Sequence, residues 1–119
     1  MVSPLPSWKA QVRKGILEYL VLRELSRGGG YGYDILRRIR KFPAMEVTES
    51  SVYLILGRLA KEGLLSSTKE KSSLGPTRSL YAVTALGRVR LLHMKQFIVE
   101  LQACLAPSQG KGAIENNDD

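Results

Sequence analysis

His93 is the only histidine of this 119-residue chain and Cys104 its only cysteine, so the side chains that usually carry catalysis are scarce. A His-based metal site needs further ligands, yet His93 has no Asp or Glu beside it and there is no second His. It reads as a partly buried helix residue. Cys104 could act as a redox sensor, but nothing adjacent in sequence would lower its pKa, and a buried small hydrophobe is the favoured role. Two copies of either residue could meet only across a dimer. The run Gly28-Gly29-Gly30 invites comparison with a phosphate-cradling loop. No strand precedes it and no Gly-Lys-Ser/Thr follows, so a tight helix-to-helix turn is the reading. No catalytic residue, cofactor or metal is expected, and the chain does not read as an enzyme.

The chemistry on offer is cationic. Residues 1–99 hold 17 Lys and Arg against seven Asp and Glu, a net +10, whereas residues 100–119 hold one against four, a net −3. The basic part calls for a polyanionic partner, nucleic acid first and an anionic membrane surface second. The longest apolar run, Gly15 to Leu22, is broken by Glu18 and falls short of the roughly 20 residues a membrane span needs. No basic segment followed by a cleavable apolar one opens the chain, and one cysteine suits a reducing compartment. A cytoplasmic protein without membrane attachment is expected.

The elements that would position these charges can be read from capping and periodicity. Residues 1–10, with Pro4, Pro6 and Trp8, read as an extended N-terminal arm, Trp8 anchoring it to the domain or a partner subunit. A first helix follows from Gln11 to Ser26, apolar over more than half its circumference, and a short basic one over about residues 33–41. Thr48 is a good N-cap and Gly63 a left-handed stop, which predicts a third helix over 48–62. Val52, Ile55, Leu56 and Leu59 give it an inner face. Ser50, Leu54, Gly57, Arg58 and Lys61 form the outer face, with Tyr53 at its margin. Two strands, 64–71 and 78–83, flank a turn-rich tip beside which lie Lys69, Lys71 and Arg78.

Thr84 caps a last helix from Ala85 to Leu105, about 30 Å long. Leu91, Met94, Phe97, Ile98, Leu101 and Leu105 run down one side of it while Leu92 and Val99 lie nearly opposite, more apolar surface than one domain can cover. A second copy of the chain is the expected cover. The predicted fold is mainly α with a small β-hairpin: a winged helix-turn-helix over 11–83, a long C-terminal dimerisation helix over 84–106, and a disordered acidic tail over 107–119.

Three segments carry a family resemblance: RKGILEYLVLRELSRGGGYGYDI (13–35), ESSVYLILGRLAKEGLL (49–65) and GPTRSLYAVTALG (75–87). In their order and spacing the chain resembles the PadR family of bacterial winged-helix transcriptional regulators. The resemblance implies a dimeric DNA-binding regulator, most often a repressor. The family's helix-three tyrosine falls on Tyr53, its preceding small hydroxylic residue on Ser51, and its wing Gly-Pro and arginine on Gly75, Pro76 and Arg78. Tyr31 stands where the family usually has His, and Leu54 where proline is common.

The partner expected for this surface is double-stranded DNA. Lys and Arg of the second and third helices and the wing would release counterions from phosphates, and Ser50, Tyr53, Leu54 and Gly57 would lie nearest the base edges. Tyr53, Arg58 and Lys61 are expected on phosphates. A winged-helix module docking an acidic protein partner is the alternative, and a small-molecule effector acting through the dimer is compatible with either but has no residue pattern here.

Overall fold

Apolar side chains at helical spacing on three successive segments meet in one core, and the remaining elements are arranged around it. The computed structural model describes residues 4–71 and 74–107. Its order is α1 (Pro4–Ser26), β1 (Gly30–Tyr31), α2 (Gly32–Ile39), a 3-10 turn (Pro43–Met45), α3 (Glu49–Lys61), β2 (Leu65–Glu70), β3 (Arg78–Val83) and α4 (Ala85–Leu105). Leu22 and Leu25 of α1, Ile35 and Ile39 of α2, and Val52, Leu56 and Leu59 of α3 are buried together, with Leu64 and Leu65 closing the core. The expected inner face of α3, Val52, Ile55, Leu56 and Leu59, is the observed one.

Local chemistry explains the boundaries. The Thr48 hydroxyl accepts the Ser51 N–H at 3.2 Å, while the Ser51 hydroxyl donates to the Thr48 carbonyl at 2.8 Å. At the other end Gly63 adopts φ +80°, and Leu64 N–H bonds back to the Leu59 carbonyl at 2.9 Å. A Thr48→Ala variant is therefore expected to lose about 1 kcal/mol of stability, read from the denaturant midpoint, so weaker DNA binding by that variant is no proof that Thr48 touches DNA.

Three expectations are corrected. The N-terminal residues are not extended: α1 begins at Pro4. Pro4 and Pro6 fall in its first turn, where backbone N–H groups have no intrahelical acceptor and proline loses nothing. Trp8 thus sits on the helix, 60% exposed, beside Val12, Ile16 and Met45, and does not tether an arm. Second, the glycine run is more than a turn. Gly30 and Tyr31 pair antiparallel with Tyr81 and Leu80, making a three-stranded sheet of order β1-β3-β2 in place of a bare hairpin. Two residues carry no periodicity to reveal this. Third, His93 and Cys104 are exposed within the chain, because α4 packs on α1 and β3 along part of its length and buries only Gly87. The acidic tail expected over 107–119 lies, beyond Pro107, outside the described residues.

Along α4 the expected apolar stripe is divided. Leu91 and Met94 pack against the chain's own core, whereas Phe97, Leu101 and Leu105 are exposed, as are Leu92 and Val99 on the other side. No helix among the described residues is long and apolar enough to cross a membrane.

Candidate nucleic-acid interface

The inner face of α3 is fixed by burial, so its outer face is presented outward as a rigid surface. Ser50, Tyr53, Leu54, Gly57 and Lys61 are all exposed there, Leu54 at 75%. A Cβ built on Gly57 would meet no atom of the chain within 4 Å, so nothing in the packing calls for glycine there. Two side chains from α1 set the pitch of the helix. Arg13 Nε donates to the Ala44 carbonyl at 2.7 Å and its guanidinium pairs with Glu46 at 3.1 Å, clamping the link that leads into α3. Toward the other end, Glu18 holds Arg58 at 2.8 Å.

Three members of the expected contact set have polar atoms engaged within the chain, the first being Ser50, whose hydroxyl lies 3.3 Å from that of Thr48. The Ser51 hydroxyl belongs to the helix cap, and Arg58 is shared between Glu18 and Glu62, the latter at 3.1 Å. Hydrogen bonding to Glu18, offset in part by desolvation, raises the Arg58 pKa. Lys61 points outward from the last turn of α3.

The wing is organised by cross-strand pairing. Glu70 lies opposite Arg78 and Lys69 opposite Ser79. Side chains alternate along a strand, so Arg78 shares a face with Glu70 and Tyr31, while Lys69 points to the other face. The basic wing residues therefore do not converge on one surface. Lys71 and Gly75 are exposed at the tip, where residues 72–73 lie outside the described residues. The Tyr31 hydroxyl donates to the Glu70 carboxylate, tying the first strand to the second across β3. The Arg78 guanidinium lies over the Tyr31 ring at 4.4 Å from its centroid. This stack holds the wing arginine in place before any partner arrives.

Between wing and α3 lies a cleft of about 300 Å³, lined by four tyrosines, Tyr31, Tyr33, Tyr53 and Tyr81, together with Asp34, Thr77, Arg78 and Ser79. Asp34 is partly occupied, accepting the Tyr31 N–H at 3.0 Å. The hydrogen bond to Glu70 raises the Tyr31 pKa, and burial raises that of Tyr53. Both phenols stay protonated at neutral pH, but the Tyr31 proton is already given to Glu70, which leaves Tyr53 as the donor of the pair facing the cleft. Hydroxyls and one guanidinium around a concave surface suit a phosphodiester. Reading the sequence brought Tyr53 and Arg78 to this place but missed Tyr33, Thr77, Ser79 and Tyr81. Ser79 and Tyr81 lie along β3 and Thr77 just before it, but only the pairing of β1 with β3 brings Tyr33 to them, and no local pattern announces it.

Tyr53 rests against Gly32. A Cβ added at Gly32 would fall 2.3 Å from Tyr53 Cε1, so Gly32→Ala must push the ring aside. The ring is 41% exposed and has room to swing, so stability should change little. DNA affinity is expected to fall several-fold, about 1 kcal/mol, as for a displaced hydrogen-bond donor. Fluorescence anisotropy beside a thermal melt separates the two effects.

A model of the transcriptional regulator PadR-like family matches residues 21–93, more than half of the chain. A solved PadR-like transcription factor from Bacteroides fragilis is 31% identical, with 83% of this chain and 95% of that one covered and a TM-score of 0.71. A PadR-like transcriptional regulator from Bacillus cereus is 35% identical over 80% and 92% of the two chains, with a TM-score of 0.69. An uncharacterised protein of Lysinibacillus sphaericus is 27% identical over 85 residues, 70% of this chain and 78% of its own. The chain belongs to the PadR-like family of transcriptional regulators and is a DNA-binding regulator, not an enzyme.

Proposed function

We propose that this protein is a homodimeric, sequence-specific repressor acting in the cytoplasm, in which α3 reads the major groove and the wing contacts the backbone or minor groove. The observation that carries the reading is the outer face of α3. It is exposed, free of acidic residues from Ser50 to Lys61, and bears an apolar side chain, Leu54, that no core accounts for. On that face Leu54 would touch a thymine methyl, Ser50 a base edge, and the bare backbone at Gly57 would come close to the groove floor. Lys61, Arg78 and the Tyr53 phenol would hold phosphates, with Lys69 and Lys71 reaching the flanking backbone. The repressor role rests on the family resemblance.

The exposed apolar groups of α4, Phe97, Leu101, Leu105, Leu92 and Val99, support dimerisation through that helix. Ile98, on the same stretch, is partly covered already. A two-fold dimer would place two copies of α3 in successive major grooves about 34 Å apart.

Anisotropy titration at several salt concentrations, against DNA from upstream of the protein's own gene and a scrambled duplex, tests the proposal. Preference for the upstream duplex by about a thousandfold or more, with strong salt dependence, is the expected result. Equally weak binding to both would turn attention to other operators or to an acidic protein partner. Gly57→Ala gives a sharper test. It is expected to raise helix stability by up to about 1 kcal/mol while weakening specific binding, because the new methyl occupies the space the groove needs.

A further inference from the structure

One carboxylate joins three helices. Glu18 of α1, only 17% exposed at its side chain, puts Oε1 2.8 Å from Arg58 Nη2 on α3 and Oε2 3.5 Å from Arg90 Nη1 on α4. Arg58 is fixed from its other side by Glu62. Both α3 and α4 pack on α1, which therefore carries the mechanical connection between the reading helix and the terminal helix. Without the carboxylate, Arg58 and Arg90 would lose the one charge that bridges α3 and α4.

We infer that Glu18 is a positioning residue for DNA reading: through Arg58 and Arg90 it sets the orientation of α3 relative to α4, and so the half-site spacing that two copies accept. The inference rests on the dimeric DNA-binding reading above. It also reassigns Arg58, whose guanidinium is committed to Glu18 and Glu62, from phosphate contact to support of the helix. The physical reason is geometric. In a dimer joined through α4, any rotation of α3 against α4 moves the two reading helices relative to each other, whereas each helix alone keeps its own surface unchanged.

The test compares wild type with Glu18→Gln, Arg90→Met and Arg90→Lys. Affinity is measured for a single half-site, for a full operator, and for the same operator with one base pair inserted between half-sites, which rotates them by about 34°. Wild type should discriminate between the two full sites. In Glu18→Gln and Arg90→Met that ratio is expected to shrink about fivefold or more, the lower end of measured coupling between sites. Single-half-site affinity and its salt slope should stay as in wild type, and Arg90→Lys should retain the discrimination. Arg90 is 45% exposed at its side chain, so Arg90→Met leaves the core intact and keeps the test valid if Glu18→Gln folds poorly.

An unchanged ratio in both variants would overturn the inference. So would an Arg58→Met variant whose salt slope falls by about 0.9 per site, the signature of a phosphate no longer neutralised. If wild type itself shows no sequence preference on any duplex, the DNA-reading proposal fails first, and the positioning role falls with it.

Discussion

A Gly87→Ala variant is expected to lose about 2 kcal/mol of stability and to melt roughly 10 °C lower. Gly87 is the third residue of α4, buried where the helix leaves the sheet. A Cβ there would lie 2.1 Å from the Leu64 carbonyl oxygen and 2.8 Å from Val83 Cγ1. The nearest atom is backbone, so no side-chain rotation relieves the clash. The neighbourhood is also pinned by hydrogen bonds. The Thr84 hydroxyl accepts the Gly87 N–H at 3.0 Å and donates to the Gly63 carbonyl at 2.7 Å, and Thr84 N–H bonds the Leu64 carbonyl at 3.1 Å. Together these fasten the start of α4 to the corner between α3 and β2, so the methyl must either break the cap or tilt the helix. Gly15→Ala is the control: its added methyl meets nothing within 4 Å on an exposed stretch of α1, and a neutral or slightly stabilising outcome is expected. Circular dichroism melts of the two variants check the contrast. Equal melting temperatures would mean that the α4 start relaxes without cost.

Arg78→Ala is expected to weaken DNA binding by about tenfold per half-site on every sequence, and to flatten the log-affinity against log-salt slope by about 0.9 for each phosphate it no longer neutralises. The magnitude follows from preorganisation as well as charge. The guanidinium already lies on the Tyr31 ring, and that ring is held by its own hydroxyl on Glu70, so little side-chain entropy remains to be lost on binding. The fold should survive, since Arg78 is exposed and its alanine keeps the strand pairing with Glu70. Lys61→Ala should show the same slope change with a smaller loss, because a lysine at a helix end has more freedom to lose. An Arg78→Ala slope identical to wild type would place the wing off the DNA.

The elements and their order are written in short-range signals. Thr48, Gly63 and Thr84 mark helix ends through bonds to residues at most five positions away, and the spacing of Val52, Ile55, Leu56 and Leu59 declares the buried face of α3 without reference to any other segment. Such information is local, and it is enough to identify a winged helix-turn-helix and the outward face of its third helix. What the charged and aromatic side chains do is settled only by packing. Arg58 looks like any outward cation along the chain. Its partner Glu18 stands 40 positions earlier, and only the packing of α1 against α3 brings the two together. Lys69 and Arg78 sit beside one tip, but the register of β2 on β3 sends them to opposite faces. The tyrosine cleft depends on a two-residue strand too short to leave a pattern. Ion pairs, strand faces and clefts are properties of distance in space, and a chain that folds back on itself sets those distances through packing that no neighbouring residue records.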